Sequence, residues 1–180
     1  MKTLFLILLC LFTLQLFAPS ASEGQKRAEA QSFFNYRLYE QVIENLAYLE
    51  GFRADQYNCP AGFPTIGHGH LIKAGERFGR ITRAQADSLL RVDFDASLKL
   101  IDSKLDYNKR LALAHFVFNL GVDRYNRSTL KKKVEAGEPV GTELLKWVYY
   151  RHNGEKRKSA RLEEARRFER ELYIKKASTV

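Results

Sequence analysis

Glu50, Cys59 and Thr65 place an acid, a thiol and a hydroxyl in one stretch, with eight residues between the first two and five between the second two. A carboxyl group donates or accepts a proton near neutral pH when its surroundings favour the protonated form. Glu50 directly precedes Gly51 and closes a run in which Leu38, Val42, Ile43, Leu46 and Leu49 recur at three-to-four-residue spacing. That spacing predicts an amphipathic helix that stops at the glycine. The negative end of a helix dipole disfavours an anion there, and burial acts in the same direction. Proton donation is therefore within reach of Glu50; without burial, the same position holds an ordinary solvated glutamate. A thiol, with a reference pKa of about 8.5, is mostly protonated at neutral pH and accepts protons poorly. Cys59 is then better suited to orienting a water together with the Thr65 hydroxyl, or to packing as a small buried side chain. His68 and His70 stand two apart, but with four histidines in the chain they have no compelling further ligands. We expect no metal site and no cofactor.

These residues need elements to hold them. From Phe52 to His70, Asn58, Pro60, Gly62, Pro64, Gly67 and Gly69 interrupt short stretches around Tyr57, Phe63 and Ile66, a pattern of turns with a small β-hairpin or meander. Thr82 and Gln85 have the spacing of a capping box and open a long helix through Leu89, Leu90 and Leu98. Leu111, Ala114 and Phe118 mark a helix stopping near Gly121, and Ser128 caps a short one running to Gly137. Leu144 to Tyr150 and Ser159 to Tyr173 are predicted as two more helices. The expected fold class is α+β: a small β region near the start, then a mostly helical body with helix-on-helix packing.

The motif Glu50, eight residues, Cys59, five residues, Thr65, followed by Ile66-Gly67-His68-Gly69-His70, resembles the phage-type lysozyme, or endolysin, family. That family carries Glu, Asp or sometimes Cys, and Thr at these spacings. The resemblance runs from about Leu38 to Tyr173 through Ile81-Thr82, Gln85-Ala86-Asp87, Phe118-Asn119-Leu120-Gly121, Ser128-Thr129-Leu130, Ala136-Gly137 and Trp147. It weakens at Ser159-Ala160-Arg161-Leu162, where the family often has Pro-Gly-Leu. The resemblance implies a lysozyme-like fold and hydrolysis of the bond between N-acetylmuramic acid and N-acetylglucosamine in bacterial peptidoglycan. It implies catalytic positions at Glu50, Cys59 and Thr65, substrate binding at Asn119 and Gly121, a structural His70, and Arg161 as an electrostatic partner of Glu50. Inversion or retention at the anomeric carbon depends on a distance that sequence does not supply.

Composition bounds the setting. A chain of 180 residues with 45% hydrophobic residues can bury one core. Thirty Lys and Arg against 21 Asp and Glu give a net charge of +9 and a field that attracts polyanions. The basic runs Lys131-Lys132-Lys133 and Arg151 to Arg161 are expected on helix or loop, and no basic-aromatic constellation matches a nucleic-acid module. Lys2 and the apolar run from Leu4 to Ala18 read as a signal peptide over 1–22, cleaved after Ser20 or Ser22. A polar lead-in over 23–35 and a single catalytic domain over 36–175 follow. Leu9 before Cys10 argues against a lipid-modified cysteine. The expectation is an exported, periplasmic or extracellular monomer with peptidoglycan as partner, touching membrane only through an uncleaved N-terminal segment. Two rival readings stand beside it: a wall-binding module without turnover, and a membrane-anchored enzyme governed by Cys10/Cys59 thiol exchange.

Overall fold

The computed structural model describes residues 22–59, 62–152 and 154–175. The expected signal peptide lies almost wholly outside them. The first element, α1 (Glu23–Glu50), begins where a flexible polar lead-in was expected. The Ser22 hydroxyl accepts from the Gln25 amide at 3.3 Å, and the Gln25 side chain accepts from the Ser22 amide at 2.8 Å. This reciprocal cap nucleates a first turn that the good helix formers Lys, Arg, Ala and Glu then extend. The chain divides into two compact units at Phe34/Asn35; the second holds every residue of the candidate site.

Within the second unit, α1 buries Leu38, Val42, Ile43, Leu46 and Leu49, the stripe its periodicity predicts. It hands over at Gly51, whose φ of +72° ends the helix in the left-handed region. Strands β1 (Arg53–Asn58), β2 (Pro64–Gly67) and β3 (His70–Leu71) form an antiparallel sheet in the order β1-β2-β3, with Tyr57 opposite Thr65 and Ile66 opposite His70. Ile66 is fully buried against Ile81 and Ala86. A Cβ on Gly67 would lie 3.0 Å from the Ala86 side chain, so glycine lets β2 close onto the next helix. That helix, α2 (Arg83–Leu98), starts with the expected Thr82–Gln85 capping box.

Helix α3 (Tyr107–Leu120) is buried all round from Leu111 to Val117, which makes it the central helix. Short helices α4 (Val122–Asn126), α5 (Thr129–Glu135, capped by Ser128) and α6 (Gly141–Leu144) follow, each packed against the next. The helix expected from Leu144 to Tyr150 is not formed. Instead, β4 (Tyr149–His152) pairs antiparallel with β5 (Glu155–Lys158), from Tyr149 opposite Lys158 to His152 opposite Glu155. The intervening Asn153-Gly154 dipeptide is a strong signal for a two-residue hairpin, and Gly154 has φ +82°. Most of the Arg151 to Arg161 basic run therefore lies on a hairpin, not on helix or loop. The last helix, α7 (Ala160–Ile174), packs against α3 and buries Leu162, Ala165 and Leu172.

Candidate active site

Glu50 is the final residue of α1, and its side chain keeps 19% of its exposure. Ser159 caps α7 by accepting from the Leu162 amide at 3.2 Å, which sets Arg161 in the first turn. From there Arg161 Nη1 reaches Glu50 Oε2 at 2.7 Å and also donates to the Leu49 carbonyl at 3.4 Å. A cation from the start of one helix thus meets the carboxylate and one carbonyl at the end of another, where the dipole favours positive charge. The ion pair opposes the helix-end repulsion expected from sequence alone.

Glu50 opens onto a cavity of about 440 Å³. Its walls come from the turn and strand carrying His68, Gly69 and Leu71, from Lys73, from Asp93 and Ser97 on α2, from Phe118 and Asn119 on α3, and from Arg161. Gly69 has φ +89°, and a Cβ there would stand 3.9 Å from Glu50 Oε2, so glycine leaves the mouth of the site open. Asn119 lines this cavity. Its Nδ2 donates to the His115 carbonyl at 3.0 Å, while its buried Oδ1 has no hydrogen-bond partner among the described residues. Gly121 does not line it; it caps α3, exposed, with φ +86°.

Cys59 and Thr65 meet through one backbone oxygen. The Cys59 amide donates to the Phe63 carbonyl at 2.9 Å, and the Thr65 hydroxyl donates to the same oxygen at 2.9 Å. Thr65 is 1% exposed and Cys59 is half-buried. With its proton committed, the Thr65 hydroxyl retains only lone pairs to offer a water. Neither residue lines the Glu50 cavity.

The two histidines of the hairpin are held on every ring nitrogen. His70 Nδ1 lies 2.6 Å from Asp93 Oδ2 and its Nε2 3.0 Å from Glu76 Oε2. The Lys73 amide, then the His70 ring, hold the Glu76 carboxyl below its usual range. His68 meets the Gly51 carbonyl through Nδ1 and Asp87 Oδ1 through Nε2, the latter at 2.8 Å. His70 is therefore a structural clasp between the sheet and α2.

A second polar cluster went unnoticed in the sequence. His115, Arg166 and Glu169 are each fully buried, with Glu169 Oε1 2.7 Å from His115 Nδ1 and 2.5 Å from Arg166 Nη2. His115 Nε2 lies 3.1 Å from Asn45 Oδ1, so the cluster joins α1, α3 and α7. Burial pulls Arg166 below its ordinary value, against the attraction of Glu169. The signal was present: the buried face of α7 runs Leu162, Ala165, Arg166, Glu169, Leu172, and two charged residues on an apolar stripe call for internal partners.

The phage lysozyme family model matches residues 47–169. The chain belongs to the phage lysozyme family. It is 33% identical over 132 residues to the endolysin of Acyrthosiphon pisum secondary endosymbiont phage 1, covering 69% of this chain and 88% of that one. A SAR-endolysin of Escherichia phage Mu is 32% identical over 116 residues, 61% of this chain and 67% of its own. Among solved structures, the muramidase domain of SpmX from Asticaccaulis excentricus superposes with a TM-score of 0.67 at 28% identity, covering 76% of this chain and 96% of the domain. An endolysin from Escherichia coli O157:H7 phage FAHEc1 gives 0.63 at 27% identity, covering 74% and 90%.

Proposed function

We propose that this phage-family lysozyme cleaves the bond between N-acetylmuramic acid and N-acetylglucosamine with Glu50 as proton donor. The supporting observation is the placement of Glu50 at the end of α1, opening on a cavity walled by Asn119 and backed by Arg161 at 2.7 Å. A protonated Glu50 gives its proton to the leaving oxygen and becomes the carboxylate that Arg161 pairs with, so the ion pair favours the charge that proton transfer creates. Asn119, in the wall of that cavity, is the polar side chain assigned to a sugar hydroxyl or amide. The same proposal assigns to Cys59 and Thr65, the other two positions of the motif, the task of orienting the attacking water.

The enzyme degrades peptidoglycan and is exported to reach it. Periplasmic or extracellular action, removal of residues 1–22, a monomeric state, and membrane contact only through a retained N-terminal segment belong to the same proposal. Mass spectrometry of digested peptidoglycan tests it. The expected products are disaccharide-peptides ending in reducing N-acetylmuramic acid. Reducing N-acetylglucosamine ends would overturn the bond assignment, and binding to walls with no soluble fragments would favour the wall-binding module.

A further inference from the structure

The register of the β4–β5 hairpin sorts its side chains by charge. Directly opposite residues share a face, and faces alternate along each strand, so Tyr149, Arg151, Lys156 and Lys158 stand together on one side. Lys156 Nζ accordingly lies 4.2 Å from the centroid of the Tyr149 ring. This face borders a cavity of about 720 Å³ whose other wall is α7. The two are joined at the base of the hairpin, where the Ser159 amide donates to the Val148 carbonyl at 2.9 Å. Lys146, Lys156, Lys158, Arg167 and Arg170 line the cavity, against two acids, Glu163 and Glu171. No lining residue is shared with the Glu50 cavity.

These cations are not all consumed by their neighbours. Glu163 is shared between Lys158 at 2.8 Å and Arg167 at 2.9 Å, and Lys146 pairs with Glu143 at 2.7 Å. Among the described residues, Lys156 and Arg170 form no ion pair: Lys156 rests on Tyr149, and Arg170 lies against the start of α6, where a Cβ on Gly141 would stand 3.3 Å from its Nε. Five cations against Glu143, Glu163 and Glu171 leave an excess of two positive charges, and a bound anion relieves their mutual repulsion. Phosphate suits such a set, because its oxygens accept from separate lysines and from an arginine fork at once. Leu145, Val148 and Tyr149 give the same cavity apolar surface for the carbon spacer between phosphates. A recessed cation cluster reaches a single chain lying in it, not the flat plane of a bilayer. We propose that the cavity between the β4–β5 hairpin and α7 binds a phosphodiester-linked polyanion, giving the protein a second hold on the bacterial wall apart from the Glu50 cavity. The wall setting rests on the proposed muramidase activity; the binding itself does not.

Calorimetric titration of the exported protein with poly(glycerol phosphate) tests this. Lys156→Gln combined with Arg170→Gln removes two exposed charges that hold no carboxylate, and should weaken binding at least about tenfold. Turnover of phosphate-free wall glycans should stay at the parent level. The conservative pair Lys156→Arg and Arg170→Lys should restore most of the binding, which a variant damaged in folding would not do. Lys99→Gln combined with Lys132→Gln takes the same charge from exposed positions elsewhere and should weaken binding less than about twofold, since screened charges act weakly at a distance. Equal losses in the two double glutamine variants would reduce the effect to net charge and overturn the site. Polyglutamate bound as tightly as poly(glycerol phosphate) would overturn the phosphate assignment, and binding confined to phosphatidylglycerol vesicles would make the face a membrane contact instead. Because binding is read without turnover, a parent that releases no wall fragments defeats the muramidase reading and leaves the titration to decide this one.

Discussion

Two regions of the molecule use the same chemical groups to opposite ends. In the β1–β3 hairpin region, His68 and His70 are buried but their carboxylate partners Asp87, Asp93 and Glu76 keep 24–40% of their exposure, and every ring nitrogen is matched. Between α3 and α7, His115, Arg166 and Glu169 are sealed at 0% exposure, and Arg166 Nε and Nη1 and Glu169 Oε2 find no hydrogen-bond partner among the described residues. Groups at a water boundary can relax when one partner is lost. Groups in a sealed core depend on one another, because an uncompensated charge there is costly to leave. The hairpin region should therefore govern turnover, and the α3–α7 cluster should govern stability.

The sharpest break of that comparison is Glu50→Gln. An amide cannot donate the required proton, so lytic rate should fall about 100- to 10,000-fold with the thermal midpoint close to the parent's. Clearing of a wall suspension within about tenfold of the parent rate would show the acid to be misassigned.

Glu169→Ala tests the sealed cluster. It strands the Arg166 guanidinium, which also packs 4.6 Å over the Phe116 ring, and should cost about 3–5 kcal/mol in denaturant unfolding. Replacing Arg166 and Glu169 together by Met and Leu should recover most of that loss, since an apolar pair leaves no stranded charge. A double variant as unstable as the single one would mean that packing, not charge, sets the cost.

Cys59 sharpens the comparison within the hairpin. Cys59→Asp should keep or raise activity, because a carboxylate accepts from water more strongly than a neutral thiol. Cys59→Ala should lose about tenfold or more in turnover with stability little changed. Full activity of Cys59→Ala would reduce Cys59 to a packing residue.

The smallest effect belongs to the boundary between α1 and α2. Arg91 grips Glu40 through two hydrogen bonds of 2.7 and 2.8 Å, and these hold the Glu40 carboxyl below its usual range. A carboxyl depressed in the folded state contributes stability above its unfolded value, near pH 4.3, and loses that contribution as the pH falls through the lower folded value. Stability of the parent should thus decline in this acidic window by more than that of Glu40→Gln, by up to about 1 kcal/mol at this partly exposed pair. Parallel curves in urea titrations would remove Glu40 from the account.

Much of the architecture was legible because it is local. The Leu38 to Leu49 stripe, the Thr82–Gln85 capping box and the glycine-punctuated hairpin each follow from spacing of a few residues, and each forms as read. Two local signals were misread. Residues 23–35 look like a polar leader, yet the Ser22–Gln25 cap starts a helix there. Val148-Tyr149-Tyr150 continues an apolar run, yet β4 pairs there with β5 as a hairpin.

By itself, then, the sequence determined which elements form and placed the acid at the end of a helix, because helix periodicity, caps and turns are decided by neighbours in the chain. What that acid faces follows from neither periodicity nor caps: the family resemblance pointed to Arg161, and the packed helices bring it there. Arg161 lies 111 residues from Glu50, His68 reaches Asp87 across two elements, and His115 meets Glu169 over 54 residues. Coulomb forces and hydrogen bonds act over a few ångströms, and those distances exist only after the helices have packed. For the same reason Cys59 and Thr65 share the Phe63 carbonyl while Asn119 and Arg161 wall the Glu50 cavity: packing, not spacing, decides which groups each of them touches.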